Sequence, residues 1–304
     1  MSGTASTTRG NASQAELARG VVRTARPRQW VKNLLVFAAP AAAGVLGDPE
    51  VALRVTAAFV LFCLAASGGY FLNDVVDASS DREHPQKRTR PIAAGRLPVA
   101  AAAGVGAVLV AAALAGGLIL GPPAFAVTVA VYLVLTISYS VWLKQHVIFD
   151  VVALAGCFVV RAVAGALVVD LPLTGWFLIV VSFGALFVAV GKRHAETAVL
   201  GQHRAEHRAV LTHYTPALTQ YLLSLSSAVT ILGYCLWAFE VASGPGELWL
   251  TFSVVPFVTV MLRYGLLVHA GGGGEPEDVL LRDRPLQVLA VAWAVLLAVG
   301  LYGS

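Results

Sequence analysis

Asn73-Asp74-Val75-Val76-Asp77-Ala78-Ser79-Ser80-Asp81 closes an apolar run that begins near residue 51. On a helix, Asn73, Asp77 and Asp81 recur at i, i+4 and i+8 and stack on one face, with Asp74 flanking the stripe. A column of carboxylates beside a low-dielectric membrane is strongly self-repelling. A divalent cation removes that repulsion, and hard oxygen ligands suit Mg²⁺, which keeps waters and bridges to substrate phosphates. The stretch therefore predicts a metal held by Asn73, Asp77 and Asp81, with Asp74 in support. A plain solvated helix end has no need to set its acids against a membrane span.

The surrounding chain sets the fold class. Of 304 residues, 58% are hydrophobic and 12% charged, half the charge of an ordinary soluble domain at about 25%. With a mean hydropathy of +0.76, too little polar surface remains to cover a water-facing globule. Since a crossing takes about 20 apolar residues, nine spans are expected: 31–47, 51–73, 98–119, 122–142, 147–169, 173–191, 217–238, 247–268 and 285–302. The predicted fold is an all-α, polytopic bundle of nine transmembrane helices over 26–304. Residues 1–25, with no long apolar run, read as a disordered cytosolic tail. Cys63, Cys157 and Cys235 lie in apolar runs without a CxxC pair, which argues against a disulfide framework or a zinc site.

The net charge of +4 is explained by position rather than by nucleic-acid binding. Eighteen of the twenty-one Lys and Arg residues fall on alternate connections: six up to Lys32, five from Arg82 to Arg96, Lys144, four from Lys192 to Arg208, and Arg282 with Arg284. By the positive-inside rule these connections are cytosolic, as is the N-terminus. The opposite side offers Arg54 among Asp48, Glu50, Asp170, Glu240 and Glu247. The longer inner connections, 74–97 and 192–216, hold most of the polar residues, so chemistry is expected on the cytosolic face. A third, 269–284, opens with the glycines at 271–274 and reads as a flexible linker.

Lys87, Arg88 and Arg90 follow the acidic ladder directly. Acids that hold a metal, then cations that grip phosphate oxygens, make the two halves of a diphosphate site. Arg161 lies inside a predicted span, where an unpartnered charge is costly; it reads as a phosphate ligand or as the neutraliser of an inward acid, the first being favoured. His194, His203, His207 and His213 read as part of a solvated amphipathic segment, 196–213, rather than a metal site. Trp30, Trp142, Trp176, Trp237 and Trp249 fall near span ends, as an interfacial aromatic belt does. Charges at the membrane midplane would suggest a transporter, but Arg161 and Arg263 are the only candidates at depth and no inverted repeat is evident.

These motifs resemble the UbiA superfamily of intramembrane prenyltransferases. Its NDxxDxxxD motif reads here NDVVDASSD, and its RPxxxG element reads Arg90-Pro91-Ile92-Ala93-Ala94-Gly95. Tyr139 to Lys144 resembles the superfamily's Tyr-x-x-x-x-Lys element. One departure stands out: where prenyl-diphosphate users carry a second Asp-rich motif, the loop after span six reads Gly191-Lys192-Arg193-His194-Ala195-Glu196. With the start Pro27-Arg28-Gln29-Trp30-Val31-Lys32-Asn33, this basic variant is similar to the decaprenyl-phosphate phosphoribosyltransferase branch.

The resemblance implies Mg²⁺-dependent transfer of 5-phosphoribose from phosphoribosyl diphosphate to a polyprenyl phosphate in the plasma membrane, feeding cell-wall arabinan synthesis. The alternative is a prenyl diphosphate donor with an aromatic or other lipid acceptor. Three phosphate-bearing groups call for many cations, and the cytosolic face supplies Lys32, Lys87, Arg88, Arg90, Lys144, Lys192 and Arg193, with Arg161 deeper. Lys192 and Arg193 are expected to clamp either the 5-phosphate or the lipid phosphate. Asp150 either orders the site, contacts ribose hydroxyls or simply starts its helix; Tyr139 and Glu196 complete the expected substrate contacts. The expected partners are the soluble donor, the lipid acceptor and the bilayer, with homo-oligomerisation left open.

Overall fold

The computed structural model describes residues 5–84, 87–200, 209–241, 246–271 and 276–303. The described residues form helices joined by turns, with no strand among them, and eight helices are long and apolar enough to cross a membrane. These are α3 (Pro49–Val76), α5 (Val99–Leu120), α6 (Pro123–Val141), α7 (Phe149–Leu167), α8 (Gly175–Leu200), α9 (Pro216–Val241), α10 (Glu247–His269) and α12 (Arg284–Tyr302). The remaining α-helices are α1 (Ala5–Ala25), α2 (Ala38–Ala42), α4 (Ala78–Glu83) and α11 (Pro276–Arg282). Large apolar side chains such as Leu53, Val108, Ile119, Val255 and Val288 are exposed on the outer faces. That pattern suits a bundle whose surrounding solvent is lipid.

The first expected span takes another form. Residues Pro27–Phe37 make a 3-10 helix that continues into α2. At about 2.0 Å per 3-10 residue and 1.5 Å per α residue, the two pieces cover about 30 Å, the thickness of a hydrocarbon core. They do traverse the bundle. Arg26, at one end, pairs with Asp74; at the other, the Leu46 amide donates to the Tyr302 hydroxyl, 3.2 Å away, beside the Asp48 cap of α3. The narrow segment packs against α3 and α7, and its closest approach is at Gly165, where a Cβ would lie 1.7 Å from the Val36 carbonyl oxygen.

Further corrections concern the ends of elements. Residues 5–25 form α1 rather than an unstructured tail, because α1 has a surface to pack on: Thr24 is buried, and Val21 joins Phe71, Ile92 and Leu97 in a small core. The connection expected from 192 begins later, since α8 runs on to Leu200. The expected linker 269–284 includes α11, and its glycines at 272–274 lie outside the described residues. Arg263 is not at the midplane; it pairs with Asp283, the N-cap of α12, at 2.8 Å. Small residues let the spans approach: a Cβ on Gly106 of α5 would lie 2.9 Å from Phe71 of α3, the close packing that holds helices together where both sides are apolar.

Gly165→Ala should push the 3-10 segment off α7 and lower stability by about 1–3 kcal/mol. Gly104→Ala, where an added Cβ meets nothing within 4 Å, should leave it unchanged or raised. Thermal unfolding of the two variants in detergent, against the parent chain, measures both effects.

Candidate functional site

The acidic ladder ends α3, and the helix breaks at Asp77, which caps α3 and precedes α4. The i→i+4 pattern survives the break, with Asp77 N–H on the Asn73 carbonyl and Asp81 N–H on the Asp77 carbonyl. The side chains, however, sort differently from the expected Asn73–Asp77–Asp81 trio. Asp74 and Asp81 are both buried, at 2% exposure, and they share one cation. Arg90 Nη1 lies 2.7 Å from Asp81 Oδ2 and 3.1 Å from Asp74 Oδ1. Asn73 and Asp77 form the neighbouring pair, with Asn73 Nδ2 donating to Asp77 Oδ2 at 3.3 Å.

Arg90 is delivered by a tight turn. Arg96 and Leu97 amides bond back to the Pro91 carbonyl, and Ile92 and Leu97 anchor the turn in the core. Gly95 sits at φ +73°, a left-handed conformation that glycine adopts without steric cost. The spacing of the Arg-Pro and the Gly is thus the geometry of the turn.

A second cation on the ladder was not singled out in the sequence. Arg26 Nη2 lies 2.7 Å from Asp74 Oδ1, and its guanidinium stacks 4.7 Å over the Tyr70 ring. Arg26 has a φ of +52° and stands before Pro27, which disfavours the right-handed helical region for the preceding residue. The chain therefore turns sharply between α1 and the 3-10 helix. Trp30 Nε1 donates to Ser67 Oγ, which donates to the Ala25 carbonyl, pinning the turn to α3. Lys32 donates to Gln29.

Tyr139, Asp150, Arg193 and Glu196 converge in a second cluster. Gly69 of α3 neighbours Thr136 of α6, which puts this cluster at the same end of the bundle as the ladder. Arg193 Nε lies 2.7 Å from Asp150 Oδ2, Nη1 bonds Glu196, and Nη2 donates to the Tyr139 hydroxyl at 2.7 Å. Arg193 and Asp150 are both wholly buried. The other Asp150 oxygen accepts from Tyr214 and from the Val151 amide. Burial, then the bond to Asp150, raises the Tyr214 hydroxyl above the ordinary phenol range, so it stays a donor. Each nitrogen of Arg193 is thus committed to an internal partner. The cluster is a brace between α6, α7, α8 and the segment after it.

Arg161 pairs with no described acid. Its Nε donates to Asn33 Oδ1 at 2.7 Å, Nη1 to the Cys157 carbonyl at 2.6 Å and Nη2 to the Tyr132 hydroxyl at 2.9 Å. The partners are neutral, and the Tyr132 ring adds a cation–π contact at 4.5 Å. Its visible role is to tie the 3-10 helix to α6 and α7. Lys144 and Lys192 are half-buried, Lys87 is half-buried, and Arg88 is exposed on the connection after α4. His194 packs against His269 and bonds Thr219, while His203 and His207 lie outside the described residues. Trp237 is buried in an aromatic cluster with Tyr234 rather than standing in a belt.

Arg26, Asn33, Tyr132 and Tyr214 are the partners missed in the sequence. Asn33, a lone amide in an apolar run, carried a readable signal; Tyr214, 64 residues from Asp150, carried none. Among the described residues no group of three or more His, Cys, Asp or Glu side chains is arranged to hold a metal. The donor set still fits a hard cation: the ladder offers oxygens alone, and Asp74 and Asp81 already converge on a single positive nitrogen.

Comparison with known proteins follows the same lines. The sequence profile of the UbiA prenyltransferase family matches residues 34–281. A decaprenyl-phosphate phosphoribosyltransferase of Mycobacterium tuberculosis is 44% identical over 283 residues, covering 92% of this chain and 93% of that protein. One from Mycolicibacterium smegmatis is 39% identical over 300 residues, covering 95% and 94%. Among solved structures, a UbiA homologue from Archaeoglobus fulgidus bound to GPP and Mg²⁺ superposes with a TM-score of 0.69 at 17% identity, covering 94% of this chain and all of that one.

Arg193→Met should cost about 3–5 kcal/mol, because it strands the buried Asp150 charge. Adding Asp150→Asn should recover much of that loss. A double-mutant cycle of thermal stabilities in detergent tests the coupling; additive losses would show that the two residues do not act as a pair.

Proposed function

The chain belongs to the UbiA prenyltransferase family, and from that premise we propose that it transfers 5-phosphoribose from phosphoribosyl diphosphate to a polyprenyl phosphate such as decaprenyl phosphate. The supporting observation is the cationic surround of the ladder, with Arg90 and Arg26 both in contact with Asp74, on a chain 39–44% identical to phosphoribosyl-transferring relatives across nearly its whole length. The basic, acid-poor segment Gly191 to Glu196 supports the same donor, since it lacks a second acidic ladder for a prenyl diphosphate. The charge bias of the connections supports a plasma-membrane protein with the site on the cytosolic face. The product would serve cell-wall arabinan synthesis.

Asn73, Asp77 and Asp81, with Asp74 behind them, would hold Mg²⁺, whose chemistry is to offset charge on the diphosphate leaving group. Arg90 is a quarter exposed, so it can pass from the carboxylates to a diphosphate oxygen without crossing the core. Lys87 and Arg88, one turn before it, extend the cationic rim for the same group. As the bond from ribose C1 to the diphosphate oxygen breaks, the sugar passes through an oxocarbenium-like state. An oxygen of the lipid phosphate attacks C1 from the opposite face, diphosphate leaves, and the configuration inverts from α to β. The attacking phosphate is already anionic at neutral pH, so no general base is needed. The Asp150–Arg193–Glu196–Tyr139 brace keeps the ends of α6, α7 and α8 in register around the donor, with Lys192 on α8 and Lys144 on the connection between α6 and α7.

Purified protein in detergent, given phosphoribosyl diphosphate and polyprenyl phosphate, should yield a lipid heavier by one phosphoribosyl group in the mass spectrum. Chelation should abolish the product and Mg²⁺ restore it. Asp77→Ala and Asp81→Ala should lower the rate by at least about a thousandfold, within the range lost with key electrostatic groups, while still folding. A prenylated aromatic product with no phosphoribosylated lipid would replace this reading with prenyl transfer.

A further inference from the structure

The sharp turn at Arg26 sets the end of α1 against the start of the 3-10 helix and leaves a groove of about 610 Å³ at that corner. Four arginines, Arg19, Arg23, Arg26 and Arg28, line it over apolar surface that includes Ala18 and Val22. Arg19, Arg23 and Arg28 are exposed, and no described carboxylate lies within ion-pair distance of any of them. Arg26 alone has an acidic partner, Asp74 of the ladder. A concave surface with this charge and no internal counter-ion is built for an anion.

We propose that this groove seats the phosphate head of the polyprenyl phosphate acceptor, an assignment that rests on the transfer reading above for the identity of the lipid. Guanidinium forks match the oxygens of a phosphate monoester, whose two negative charges answer several cations at once. The apolar surface accepts the first isoprene units. The volume lies within the range of about 300–1,000 Å³ of small-ligand sites, enough for a head and the start of a chain whose remainder stays in the bilayer. Arg26 touches both the groove and the ladder, so a phosphate held there stands one guanidinium away from the donor. A soluble donor needs no apolar surface; a lipid anion uses both halves of the groove.

The test uses the full chain in lipid nanodiscs. Arg23→Gln with Arg28→Gln should raise the KM for polyprenyl phosphate about tenfold, the scale of one lost charge-assisted hydrogen bond. The KM for phosphoribosyl diphosphate and the kcat at saturating lipid should stay within about twofold of the parent, as the ladder and its arginines are untouched. A rise in the donor KM instead, or no change in either, overturns the assignment. A photoreactive polyprenyl phosphate should label peptides 14–29 of the parent chain and not of the double variant. Unlabelled polyprenyl phosphate should displace it and phosphatidylglycerol should not. Equal displacement by phosphatidylglycerol would make the groove a general contact with anionic bilayer lipid and overturn the assignment. Labelling that persists in a chain unable to transfer phosphoribose would sink the transfer reading and leave the groove standing. Normal transfer with an unchanged acceptor KM would do the reverse.

Discussion

Two carboxylates, Asp74 at the end of a membrane helix and Asp81 just beyond it, are almost fully withdrawn from solvent, and one guanidinium is set between them. Removing the partner of a buried charge costs several kcal/mol, so the surrounding chain is organised to deliver one. The turn that begins at Pro91 brings Arg90 back over the ladder, and the left-handed residue before Pro27 brings Arg26 to the same oxygen of Asp74. These are two different backbone solutions to one electrostatic problem. The same arrangement holds two guanidiniums over the ladder.

Cations deeper in the bundle meet a different constraint. Arg161 is buried without a carboxylate, and its charge is spread over an amide oxygen, a main-chain carbonyl, a phenol and an aromatic face. Those neutral partners come from the 3-10 helix, α6 and α7, so satisfying the charge also fixes the segment that leads from Arg26. Trp30, Asn33 and Val36 hold the 3-10 helix in place, and the carbonyl of Val36 against Gly165 shows how near it runs to α7. Position in the site thus depends on a contact many residues from the ladder.

Length and apolar periodicity made eight of the spans legible, since nothing but a helix satisfies its own backbone in lipid. The first segment was not legible as a 3-10 helix, because hydropathy counts residues and does not report rise per residue. The ladder was readable from its i, i+4, i+8 spacing, yet the break at Asp77 turns the side chains so that Asp74, and not Asp77, shares the cation with Asp81. Arg193 shows the other limit. A basic residue on a basic connection looks like a phosphate ligand, and its true neighbour Asp150 lies 43 residues away with no pattern linking them. Arg26 was hidden for the converse reason: it was one arginine among six basic residues in the N-terminal stretch, distinguished only by the proline that follows it.

Exposure divides the cations of this face into two kinds. Arg193 has 1% of its side chain exposed and is tied at three nitrogens to a wholly buried aspartate, a glutamate and a tyrosine; moving it would strand Asp150. Arg90 and Arg26 keep 25% and 30% exposed while gripping acids that are almost fully buried. Such a pair can trade one anionic partner for another at the surface of the site, because water and the incoming phosphate replace what the carboxylate gives up. The proposed transfer would draw on cations of the second kind for its diphosphate, while those of the first kind brace the helices around them. Their separation onto the ladder and onto α8 is what allows one end of the bundle to be both rigid and exchangeable.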